Sequence, residues 1–169
     1  MVEHLLLALQ NSAFANWLSQ SPYPPIITLH SVGMALLVGL QVVINLRVLG
    51  FGRELPIPAL RRFMSVVWIG FWVNAASGTL LFLISPDKLF HSTLFRIKLS
   101  LIAAGLILGA ILNSSLLNVG DEYAPSNART ASQAKAVAIL SLACWFAAIF
   151  TGRWLAYTTF ADVGIGSAE

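Results

Sequence analysis

Four stretches of this chain, 26–51, 63–84, 94–117 and 134–159, are each long and apolar enough to cross a lipid bilayer. A hydrocarbon core about 30 Å thick takes about 20 residues of helix at ~1.5 Å per residue. No water is present there to satisfy backbone N–H and C=O groups, so a spanning segment must close its hydrogen bonds internally, as a helix does. Composition agrees with this reading. Of 169 residues, 57% are hydrophobic and only 10% charged, where an ordinary soluble domain carries about 25% charged residues. A mean hydropathy of +0.79 spreads the apolar character over the whole length rather than over one anchor. The expected fold class is therefore all-α integral membrane: a four-transmembrane-helix bundle with an N-terminal interfacial helix, forming a single membrane domain over 1–169.

The connecting segments carry their own signals. Residues 3–19 mix Leu6, Leu7, Leu9, Phe14, Trp17 and Leu18 with Gln10, Asn11, Ser12, Asn16 and Ser19, too polar for a span but suited to a helix lying at the interface. Pro22, Pro24 and Pro25 then break it, because proline lacks the amide donor and disfavours helix in the residue before it. Ser85-Pro86-Asp87-Lys88 reads as an N-cap and a proline-led first turn of a short helix after the second span. Residues 118–133, with Gly120, Asp121, Glu122, Pro125, Ser126 and Asn127, read as a polar loop. The tail 161–169 has no amphipathic pattern and is expected to fray. The amino terminus lacks the basic region and small-residue cleavage site of a signal peptide, so Met1 is expected to belong to the mature protein. No internal repeat is visible.

The net charge is +3, but no basic cluster is interleaved with aromatics, so no nucleic-acid partner is expected; in a membrane protein the basic residues record topology. Arg47, Arg53, Arg61, Arg62, Arg129 and Lys135 fall on the face of the first and third loops, and Lys88, Arg96, Lys98 and Arg153 on the other. The last three lie within spans and do not count as loop charges. Residues 1–25 have no lysine or arginine. This places both termini outside the cytoplasm, in a multi-pass protein of the bacterial inner membrane.

Cys144 is the only cysteine, which excludes an internal disulfide and a multi-cysteine cage; it reads as packing. His4, His30 and His91 all fall on the outer side, together with the intramembrane Arg96, Lys98 and Arg153. Ionisable residues inside a span are costly and mark function by default. His30 lies a few residues inside the first span, with Gly33 one turn on, where a glycine lets a flat ring approach the backbone. It reads either as bonded to a neighbouring helix's carbonyl or as a haem or metal ligand. His91, just before the third span, is either a wet interfacial histidine or a second ligand. Arg96 and Lys98 point about 200° apart on a helix, and each either snorkels to lipid phosphate or serves a ligand. Arg153 lies at about the depth of His30 and needs an anion: a haem propionate, a partner's carboxylate or a lipid headgroup. Gln41, Asn45, Asn74, Ser77, Asn113 and Ser114 read as interhelical hydrogen bonders, with Ala75, Ala76 and Gly78 allowing close packing. Trp68 and Trp72 read as packing or lipid-facing. No aspartate or glutamate occurs within a span, which disfavours proton pumping and cation-driven transport.

Leu29-His30 with Gly33, Ala35 and Gly39, then Leu46-Arg47-Val48-Leu49-Gly50, and Phe95-Arg96-Ile97-Lys98 opening the third span, resemble an uncharacterised family of small bacterial four-span membrane proteins. In helix number and outer-leaflet histidine the chain is also similar to copper-resistance D-type and small b-type cytochrome membrane modules, which implies haem or copper handling. The expected function is a membrane subunit binding at most one b-type haem near the outer face, with His30 and His91 as iron ligands and Gly33, Arg96, Lys98 and Arg153 beside the cofactor. It passes electrons between an extracytoplasmic partner and the quinone pool, more an accessory subunit than an enzyme. The alternative is a cofactor-free anchor or assembly subunit docking a protein partner in the membrane or periplasm. A lesser alternative is copper handling through His4, His30 and His91 with Met1 or Met34.

Overall fold

The computed structural model describes residues 2–20, 22–52, 54–117 and 128–160. These form α1 (Val2–Gln10), α2 (Ala13–Gln20), α3 (Tyr23–Leu49), α4 (Ile57–Ile84), α5 (Pro86–His91), α6 (Thr93–Leu117) and α7 (Ala128–Phe160), with no strand among the described residues. Stretches of 27, 23, 22 and 28 residues within α3, α4, α6 and α7 are long and apolar enough to cross a membrane. The chain is an all-α, multi-pass membrane protein built as a four-helix bundle. Most of the expected polar loop, 118–127, and the tail 161–169 lie outside the described residues, as do Met1 and Arg53.

The helix ends differ from the sequence reading for local reasons. α3 starts at Tyr23 rather than 26, because Pro24 and Pro25 sit in its first turn, where an amide would lack an intrahelical partner anyway. It stops at Gly50, whose φ of 103° is left-handed; the Gly50 amide donates to Arg47 O and the Phe51 amide to Leu46 O at 3.0 Å. The single interfacial helix expected over 3–19 is two. The Ser12 hydroxyl donates to Leu9 O at 2.7 Å, closing α1, and accepts from the Ala15 amide at 3.2 Å, opening α2. Pro86 opens α5 as read, but the Ser85 side chain makes no capping bond; its carbonyl accepts from the Leu89 amide at 3.2 Å. α7 begins at Ala128, six residues before the expected 134, because the helix runs past its apolar stretch.

α4 packs along α3 and α6 along α7, and the two hairpins meet through α3 against α7. Lipid tails are as apolar as leucine, so close contact through small residues has to hold such a bundle together. A Cβ placed on Gly33 would lie 2.7 Å from Asn74 N, and one on Gly70 would lie 2.8 Å from Leu37 N. The α3 and α4 backbones therefore touch. Along the α6–α7 seam, Gly105 accepts the Trp145 ring and Gly152 the Lys98 stem. Leu37, Val38, Val67 and Trp145 fill one core cluster, and Ile44, Val48, Leu60, Leu112 and Ala138 fill a second, nearer the start of α4. α1 lies against α5 and α2 against α4, burying Leu6, Ala15 and Leu18.

Candidate functional site

Within two turns near its C-terminal end, α4 brings Asn74, Ser77 and Gly78 to the face that α3 meets at His30. His30 Nδ1 lies 3.1 Å from Asn74 O and 3.1 Å from Ser77 Oγ. A carbonyl can only accept, so Nδ1 carries the proton. Ser77 Oγ donates its own hydrogen to Val73 O at 2.6 Å and is left to accept from the same Nδ1–H. In return, Asn74 Nδ2 donates to His30 O at 3.1 Å. The two helices are thus stitched in both directions at one level. The glycine that admits the ring is Gly78, where an added Cβ would stand 3.1 Å from His30 Cε1. Gly33, expected to give the ring its room, is instead where the backbone of α4 crosses.

Facing this stitch is the interior part of α6 and α7. Lys98 runs its stem over Gly152 and is within electrostatic reach of His30. Among the described residues it has no hydrogen-bond or ion-pair partner. Trp145 is 1% exposed, and its buried Nε1–H has no partner either. Both line a cavity of about 10 Å³ whose walls also include Met34, Val38, Asn74 and Ile149. The sequence analysis singled out Lys98 and Asn74 but not Trp145. A tryptophan amid Ala143, Cys144 and Phe146 reads as bulk apolar, and only the fold shows its donor stranded.

The structure places the other site residues apart from this centre. His91 is exposed at the end of α5, where Nδ1 donates to Asp87 O at 3.0 Å and lies 3.5 Å from Asp87 Oδ1. Arg96 and Arg153 are exposed, the latter with its guanidinium 6.0 Å from the Tyr157 ring centroid. His4 is exposed on α1. Among the described residues, no three His, Cys, Asp or Glu side chains come together as a metal site would need.

A second polar cluster lies deeper. Asn45 Nδ2 donates to Gln41 O at 2.8 Å and to Ser141 Oγ at 3.2 Å, joining α3 to α7, while Asn45 Oδ1 stays buried without a partner. Gln41 packs on Gly109 of α6. Of the other expected interhelical bonders, Ser114 instead donates to Ile111 O of its own helix at 2.8 Å.

Fold and site together define a polytopic helical membrane protein with a polar centre shared by all four spans. No family model, curated protein or solved structure matches the chain.

Proposed function

We propose that the chain is a membrane anchor or assembly subunit that folds without a cofactor, lies in a bacterial inner membrane with its α5 end outside, and docks a protein partner in the membrane or periplasm. The observation that carries this reading is the reciprocal bonding of His30 and Asn74, which gives the chain's one deep histidine a structural task. Polar pairs of this kind hold helices in register inside lipid. Purification in mild detergent after in-cell crosslinking tests it: a stoichiometric partner is expected. A chain that crosslinks to nothing and runs as a lone monodisperse species in native-lipid nanodiscs overturns it.

A second reading, the single b-type haem with electron transfer to the quinone pool, has one observation in its favour. With Nδ1–H held by Asn74 O, the basic nitrogen of His30 is Nε2, the tautomer that second-shell bonds give to metal-bound histidines. Against it stand the exposed positions of His91, Arg96 and Arg153 and the tight fit of the ring on Gly78. Haem would supply one-electron chemistry; the chain's own contribution would be His30 as ligand and Lys98 as a cation for a propionate. A reduced-minus-oxidised visible spectrum separates the two readings. Soret and α bands that vanish in His30→Ala support haem, and a featureless spectrum from haem-supplemented cells removes it.

A further inference from the structure

The four spanning helices do not close into a ring. α4 packs on α3, α3 on α7 and α7 on α6, but among the described residues α4 and α6 do not pack along each other. They meet near the α5 end, where Phe82 of α4 stacks on Phe95 of α6 with ring centroids 5.6 Å apart. Further into the membrane, the side between them is open. Phe71 and Ala75 lie on the same face of α4 as Phe82, and Leu99 follows Phe95 one turn on along α6 with half its surface exposed.

Lys98 borders this open side, three residues after Phe95 and about 60° from it around the helix. It is half-buried, and nothing within the spans balances it, since no aspartate or glutamate occurs in any of the four. Yet the ammonium is not sealed in. The side-chain atoms buried without a partner among the described residues are Gln10 Oε1, Asn45 Oδ1 and Trp145 Nε1, and Lys98 Nζ is not one of them. An unbalanced cation inside a span is costly, so its counter-charge has to come from outside the chain. A lysine near a membrane surface ordinarily finds it in lipid phosphate, by snorkelling outward. Lys98 instead lays its stem on α7, with Nζ 3.3 Å from where a Cβ on Gly152 would stand. Gly152 is eight residues before Phe160, the end of α7, roughly 12 Å along the axis at ~1.5 Å per residue. A phosphate held at headgroup level does not follow the ammonium to that depth, whereas a carboxylate carried on a helix does. We infer that the open side between α4 and α6 seats a transmembrane helix of a partner protein, whose aspartate or glutamate pairs with Lys98 inside the membrane. The inference rests on the anchor reading and names the chemistry by which that partner is held.

The test uses the full chain in phosphatidylcholine nanodiscs with a leucine–alanine transmembrane peptide that carries one glutamate a turn or two from one end, and its glutamine twin. Energy transfer between labelled peptide and chain should show the glutamate peptide binding about tenfold tighter, because a charge-assisted bond is roughly twice as strong as a neutral one. Lys98→Arg should keep that preference, Lys98→Met should abolish it, and Lys88→Met should leave it intact. In a Cys144→Ala background, a peptide cysteine beside the glutamate should form a disulfide with Leu99→Cys and not with Phe150→Cys, which is exposed on α7. Equal binding of the two peptides, a preference that survives Lys98→Met, or crosslinking at Phe150→Cys rather than Leu99→Cys each overturns the inference. Recovery of a partner from cells is a separate readout: if the peptides fail and a partner is still recovered, this docking side falls and the anchor reading stands.

Discussion

At the scale of single residues, two glycines of α3 that look alike in sequence stand in opposite surroundings. An added methyl at Gly33 would meet Asn74 N at 2.7 Å, whereas one at Gly39 would find nothing within 4 Å. Gly33→Ala must therefore push α4 away, an overpacking cost of about 1–3 kcal/mol, while Gly39→Ala gains helix propensity of up to about 1 kcal/mol. Unfolding in mixed micelles should show the first destabilised and the second neutral or stabilised; equal losses would mean that helix contact is not what Gly33 provides. His30→Leu removes the Nδ1–H that both Asn74 O and Ser77 Oγ accept, and the ring that packs on Gly78, whereas Asn74→Ala removes only the bond to His30 O, because the carbonyl that holds the ring is backbone. Single interhelical hydrogen bonds in membranes average about 0.6 kcal/mol, so Asn74→Ala should cost about that and His30→Leu clearly more. The reverse order would break the account of the stitch. Of this site, His30, Asn74, Ser77 and Lys98 were legible in sequence because a polar atom in a span stands out against apolar neighbours. Their partners were not, since nothing in the order of residues tells which glycine faces which ring.

At the scale of elements, the four spans were legible because bilayer thickness sets a length that periodicity need not confirm. Their inward faces were much less so. In water, a helix separates apolar from polar sides, but these helices meet lipid on one side and each other on the other, and both are apolar. Trp68 and Trp72 of α4 turn outward while Trp145 of α7 is buried, although all three sit in equally apolar runs. Only polar and small residues mark the seams, as Gln41 and Asn45 do on α3. The interfacial segment was misread as one helix for a different reason: Ser12 can both close one helix and open the next, and its amphipathic surroundings hide the break. Ser12→Ala should cost about 1 kcal/mol, the usual price of a lost N-cap, and the cost should be local. Hydrogen exchange should speed up at the start of α2 with α3 and α4 unchanged; protection lost throughout the bundle would mean that the break is not an independent hinge.

At the scale of the whole molecule, orientation depends on charges that lie at the membrane surfaces, and the structure says which charges those are. Lys98 walls an interior cavity, so it does not act as a loop charge. Arg96 and Arg153 are exposed but stand within spans, which leaves Lys88 of α5 as the one lysine or arginine outside a span at that end. By the same bounds the opposite end carries Arg53, Arg61 and Arg129 outside the spans, with Arg47, Arg62 and Lys135 at the span ends. Short loops rich in lysine and arginine stay in the cytoplasm, so the α5 end should be translocated, together with α1 and α2, which contain neither residue. In a Cys144→Ala background, a membrane-impermeant maleimide added to intact spheroplasts should label Lys88→Cys and spare Ser126→Cys until the membrane is opened. Lys88→Cys removes the only opposing loop charge and so cannot itself invert the chain under this rule. Labelling of Ser126→Cys alone in sealed spheroplasts would reverse the topology and put the Lys98 cavity in the cytoplasmic leaflet. Labelling of both would show a dual-topology population, in which three loop charges against one fail to decide the orientation.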